Sequence, residues 1–136
     1  MTLTVWMTPT PFEASRDLSN AINLIVHKMD KYLPDYGVQL VEEPDNATLH
    51  AGHAGQGSQA PLDVAHYHGL YPTAQGSENY AVNAAVIRNL KTARIITAPS
   101  EWIADLIRRD MHINPRVIGW GVDTEEWKPS ADVQKY

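Results

Sequence analysis

The sequence has 136 residues, 43% hydrophobic and 20% charged, a formal net charge of -5 and no cysteine. That length suits one domain able to bury a core without staples, and the missing thiols exclude a disulfide scaffold, thiolate metal ligands and a cysteine nucleophile. The acidic balance argues against nucleic acid, whose phosphates need clustered Lys and Arg; no apolar stretch reaches the roughly 20 residues of a membrane span, Met1 to Thr4 lacks the basic start of a secretion signal, and a cytoplasmic location is expected.

Leu3 to Met7 predicts a first strand, which Pro9 and Pro11 break into a loop. Leu18, Ile22, Ile25, Met29 and Tyr32 then recur at helical spacing, with Asp17 or Ser19 placed to cap and Pro34 beyond the end. Val38 to Val41 predicts a second strand and Thr48 to Ala51 a weaker third. A polar loop bearing Gly52, Gly55 and Gly57 separates these from a strand over Val64 to His68, stopped by Gly69 and Pro72. Ser77 is placed to cap a helix carrying Tyr80, Ala81, Ala84, Ala85, Ile87 and Leu90. Arg94 to Ala98 is the clearest buried strand, closed by Pro99. Ser100 suits the N-cap of a helix with Trp102, Ile103, Leu106 and Ile107 on one side, and Arg108 and Arg109 near its end suit the macrodipole. Val117 to Trp120 predicts the last strand.

Strands alternating with helices predict an α/β, Rossmann-like doubly wound domain with a mainly parallel sheet. Ligands of such sheets bind beyond the carboxyl ends of the strands. Thr8 to Arg16, His50 to Gly57, His68 to Gly76, Pro99 to Glu101 and Gly121 to Asp123 should therefore share one edge. Four of the six histidines are expected there, with Arg16 and Arg88 as the nearby basic residues. Asp35, Lys91 and Asn114 mark the duller opposite edge.

The histidines admit a metal reading, because imidazoles bind zinc; His50 and His53 are three apart, and His66 and His68 share one strand face. No helical HExxH pattern accompanies them. The plainer reading packs and hydrogen-bonds His66 while His68 reaches a cleft. Gly52 to Ser58 superficially resembles a phosphate-binding loop but lacks a GKS or GKT ending, and the loop after the first strand, Thr8 to Glu13, holds no glycine. No G-x-S-x-G elbow occurs, so Ser100 reads as a helix cap. Glu125 and Glu126 read as a solvated face, and Trp120 and Trp127 as packing residues. Tyr67, Tyr71 and Tyr80 offer surfaces for stacking on a sugar, although Tyr67 should point away from His66 and His68.

The last third is more specific. Ile96 to Trp102, followed by Arg116 to Pro129 with its Gly121-Val122-Asp123 turn, Trp127 and Pro129, resembles the end of the N-terminal domain of GT-B enzymes of glycosyltransferase family four. His50 to His53 is similar to the family's histidine-bearing strand end. Asp63 to Gly69 is similar to the next strand, which ends in a histidine at the active-site cleft. The resemblance runs in order from Leu3 to Pro129. Trp120 stands where the family usually has Asn, Gly119 where it often has Pro, and the first loop lacks the family's common glycine pair.

The resemblance implies a retaining, metal-independent transferase with its active site between two Rossmann-like halves. Residues 1–129 would be the acceptor-side half, residues 130–136 the start of the interdomain linker, and the donor-binding half absent. A nucleotide sugar would be the donor substrate in the complete enzyme, with no separate cofactor, and a sugar or glycosylated molecule the acceptor. His68 is the first candidate for an active-site contact. Phe12, Ser15, Arg16 and Tyr71 are acceptor-side candidates, and Glu101 and Asp123 further residues of the edge. Two other classes fit less of the sequence: a free-standing, non-catalytic Rossmann-like binding module, and a metal-dependent hydrolase using His50, His53, His66 and His68.

Overall fold

In the computed structural model, which describes residues 2–55, 61–124 and 126, the chain folds around a six-stranded sheet. The strands are β1 (Leu3–Thr8), β2 (Val38–Val41), β3 (Leu49–His53), β4 (Val64–His66), β5 (Ile95–Ala98) and β6 (Arg116–Val117). Their order is β2-β1-β3-β4-β5-β6, and every neighbouring pair is parallel. The Rossmann-like expectation is met.

The chain moves outward from β1 to β2, then reverses and crosses to β3. The helices divide accordingly. α1 (Pro11–Ser15) and α2 (Ala21–Tyr32) join β1 to β2, whereas α3 (Glu78–Thr92) and α4 (Glu101–Met111) join β4 to β5 and β5 to β6. Two separate cores result. Met7, Ala51 and Leu40 meet Ala14 and Val26 on one face. Ala65 and Leu62 meet Val86, Leu90 and Ile107 on the other. Each large side chain fully withdrawn from water, such as Met7, Leu90 or Ile107, contributes about 1.5–3 kcal/mol.

Side-chain alternation along the strands decides which residues face which layer. Tyr67 is buried in the core under α3, opposite the face of His66, as predicted. The short β5 is less buried than expected, because Ile95 remains exposed while Thr97 and Ala98 are covered. The final strand is only Arg116 and Val117; Ile118 then keeps one backbone bond to Ala98.

Local chemistry explains most helix boundaries. Pro11 starts α1 instead of breaking the chain into a loop, because Thr10 and Glu13 form a reciprocal capping box. Asn20, not Asp17 or Ser19, caps α2, accepting from the Ile22 and Asn23 amides. Ser100 caps α4 as predicted, accepting from Ile103. Ser77 sits at the cap position of α3 without a side-chain bond. Trp102 of α4 is largely exposed although it was expected on the packed side. Trp127, Pro129 and the expected linker, 130–136, lie outside the described residues, as does Glu125.

Candidate functional site

The site forms where β3, β4 and β5 end. Their register pairs His53 with His66 and His66 with Thr97, so the three side chains share the face occupied by α2. His68 lies two residues beyond β4. His53 Nδ1 is 2.5 Å from His68 Nε2, and their rings lie 4.8 Å apart with planes tilted by 25°. His66 Nδ1 meets Thr97 Oγ1 at 2.6 Å. The His53 and His66 ring centroids are 5.4 Å apart.

Burial keeps these imidazoles neutral. His53 is 2% exposed; its pKa is pushed down to about 3 by loss of solvation first, then by charge on His68 and His66. Burial, reinforced by His68, pushes His66 down to about 4, and burial also lowers His68. His53 Nε2 and His68 Nδ1 are buried without a hydrogen-bond partner.

Two hollows meet at His68. The larger is an apolar cleft of about 930 Å³ between α2, the histidines and the segment 118–124. The smaller, about 200 Å³, is lined by Ile22, Gly55, His68, Gly69 and Tyr71 among others. Asn83 of α3 holds the Tyr71 backbone with two 2.9 Å bonds, its Oδ1 accepting from the Tyr71 amide and its Nδ2 donating to the Tyr71 carbonyl. Gly55 permits close packing there, since a Cβ would lie 3.3 Å from Val86. Asn89 Nδ2 donates to the Ala54 carbonyl at 2.8 Å and fixes the end of β3.

Residues 118–123 run from β6 across the strand ends to α2, like a strap. Trp120 meets the edge of His68 at 5.1 Å. Asp123 Oδ2 then accepts from Tyr32 Oη at 2.6 Å and from Lys28 Nζ at 3.3 Å, with Lys31 at 3.9 Å. Lys28 also pairs with Glu126, whose carboxylate is the main cause of its raised pKa.

The sequence model described as Glycosyltransferase Family 4 matches residues 7–126. The chain belongs to glycosyltransferase family 4. No curated protein and no solved structure gives a match.

Within this family 4 domain, the sequence candidates take different places. His68 and Tyr71 line the smaller hollow together, and His68 shares the larger one with Asp123. Phe12, Ser15 and Arg16 stand on or beside α1, at the same edge, outside the residues lining either hollow. The Arg16 guanidinium lies 4.6 Å from the Phe12 ring centre, and Ser15 Oγ donates to the Phe12 carbonyl. Glu101 begins α4 and pairs outward with Arg108 at 3.0 Å.

Two sequence expectations need correction. His50 does not join the other histidines: residues three apart on a strand face opposite ways, and its ring meets Trp6 and the Pro44 carbonyl instead. The four-histidine metal set is therefore not assembled, and the described residues contain no cluster of three or more candidate metal ligands. Arg88 does not stand at this edge, because it lies near the far end of α3, which runs from the end of β4 to the start of β5; the further cations here are Lys28 and Lys31, which α2 brings to Asp123. Glu126 is exposed, as expected, and pairs there with Lys28. Lys28 and Tyr32 were findable in principle, as an i, i+4 pair on one helix face; Asp123 stood out by its Gly-Val-Asp turn, but nothing local pairs it with Lys28, 95 residues away. Among the described residues, no helix is long and apolar enough to cross a membrane.

Proposed function

We propose that this chain is the acceptor-binding half of a nucleotide-sugar-dependent, retaining GT-B glycosyltransferase. A second α/β domain outside this sequence would hold most of the donor. The observation that carries this reading is the position of His68. In a family 4 domain, it stands at the carboxyl edge of a parallel sheet and lines both hollows.

The local chemistry supports an acceptor side. Glycosyl transfer builds positive charge on the sugar and negative charge on the departing phosphate, so the phosphate needs a cationic clamp. Lys28, on the cleft wall, is already engaged by Asp123 and Glu126, which leaves the clamp to the other domain. The neutral imidazole of His68 suits a hydrogen bond to a sugar hydroxyl, and Tyr71 supplies a ring for stacking. Phe12, Ser15 and Arg16 would extend the acceptor surface along α1. Glu101 and Asp123 would organise their turns, Asp123 by holding the strap.

The reading is tested by titrating acceptor glycans and nucleotide sugars separately into isotopically labelled chain. Acceptor glycans are expected to shift the His68, Gly69 and Tyr71 resonances, and His68→Ala to weaken them about tenfold, the loss of one hydrogen bond. Nucleotide sugars should bind far more weakly than acceptors. Tight nucleotide-sugar binding by this chain alone, or acceptor binding indifferent to His68→Ala, would overturn the assignment.

A further inference from the structure

We propose that the acceptor is a sugar joined to a hydrocarbon chain, the chain lying in the large cleft and the sugar in the small hollow, with His68 at the junction. The sugar's place rests on the acceptor-side reading above, whereas the chain's place rests on the cleft alone.

Topology leaves the cleft bare. A parallel sheet is ordinarily covered by helices on both faces. Here the crossovers from β4 to β5 and from β5 to β6 carry their helices on the same face, where α3 and α4 pack. α2 packs on the opposite face, against β1, β2 and β3 through Met7, Leu40 and Ala51. Among the described residues, no helix therefore covers β5 and β6 on the α2 side, and Ile95 of β5 stays exposed. The cleft beside them is walled by Leu24, Ile25 and Met29 of α2 and by Ile118, Trp120 and Val122 of the strap. The last three are each more than half exposed, and apolar surface gathered in this way marks a binding site.

Two observations choose a hydrocarbon chain over a protein segment. The first is the strap's mooring. Asp123 bonds Tyr32 and Lys28, and all three line the cleft, which is therefore bridged at that point. An α-helix, about 10–12 Å across with its side chains, would have to lift the strap and break those bonds, whereas a single run of methylenes lies beneath it. The second is the joint with the small hollow. His68 is the one lining residue common to both spaces. An apolar cleft of about 930 Å³ thus opens beside about 200 Å³ that offers Tyr71 for stacking and His68 for a hydroxyl. A free sugar uses only the smaller space; a sugar with a hydrocarbon tail uses both.

The test is a titration of butyl, hexyl, octyl and decyl glucosides, below their micelle concentrations, into the full labelled chain. Affinity should rise by up to about fourfold per added methylene, the gain from burying one CH₂. The Ile25, Ile118 and Val122 methyl signals should shift with chain length, while Tyr71 responds to the sugar. Ile118→Asp, at an exposed position, should flatten the rise, and Val122→Asp serves if that variant does not fold. An affinity independent of chain length in wild type overturns the proposal; soluble glycans that still bind at His68 would then leave the acceptor reading in place. A rise left intact in the folded Asp variants also overturns it. So does self-association that shields Ile118 and Val122, seen as concentration-dependent sedimentation without a chain-length rise, which would give the cleft to a second copy. If hexanol binds as well as hexyl glucoside, with no response at Tyr71, the chain site stands and the acceptor reading fails.

Discussion

Lys28 on α2 reaches Asp123, 95 residues further along the chain, with its ammonium 3.3 Å from the carboxylate. Tyr32, one turn later on the same helix, donates to the same oxygen. Together they moor a short strap whose Trp120 leans on His68. The strap has one backbone bond on its β6 side, from the Ile118 amide to the Ala98 carbonyl, so its outer end depends on side chains.

Asp123→Asn should therefore loosen the strap without unfolding the domain. Neither sheet core contains Asp123, so the urea midpoint should move little. The Trp120 indole resonance should shift towards its solvent-exposed position. Salt should act in the same direction, since the Debye length falls to about 3 Å at 1 M. An unmoved indole resonance in the variant would show that the carboxylate is not the mooring.

Acid should weaken the fold through the buried histidines. Their folded pKa values, about 3 for His53 and about 4 for His66, lie below the unfolded value near 6.5. Between these limits the unfolded chain binds more protons, so stability is full above about pH 6.5 and falls as pH drops towards 4. Each histidine contributes up to about 1.4 kcal/mol per pH unit to that slope. Urea unfolding at several pH values should show the fall, and His53→Asn should remove one proton's share. An identical slope in wild type and variant would place the effect elsewhere.

Asn83→Ala removes both side-chain bonds to the Tyr71 backbone. Hydrogen exchange at the Tyr71 amide should quicken and acceptor binding should weaken, while the rest of the amide spectrum stays in place. A protected Tyr71 amide in this variant would mean that the loop holds itself.

Asn89→Leu addresses the floor of the site. It leaves the Ala54 carbonyl without the buried 2.8 Å bond, at a cost of about 1–3 kcal/mol. The same loss should displace the end of β3 and perturb His53, so the unfolding midpoint and the His53 ring signals should change together. A stability change below about 0.5 kcal/mol would show that water readily replaces the amide.

Much of this fold was legible from local pattern. The strands announced themselves by β-branched runs between Pro and Gly, and Ser100 by its place before an amphipathic helix. α1 is not legible from the prolines alone, because Pro9 and Pro11 also fit a loop; Pro11 occupies the helix's first turn, where its missing N–H costs nothing. At the site, alternation separates Tyr67 from His66, and by the same rule His50 and His53, three apart on β3, face opposite ways. The strap's mooring was invisible for a different reason. Its partners meet only through the tertiary course of β6 past α2, which no short-range spacing encodes.

The parallel sheet has a practical corollary. With all strands pointing one way, the domain has two distinguishable ends, and labels can be addressed to either. The sequence holds no native thiol, so Lys91→Cys would create a unique attachment point. Lys91 lies exposed in the last turn of α3, just before β5 begins, at the end remote from His68. A surface or fluorophore coupled there would present the histidines outward, in a single orientation, to whatever is passed over it.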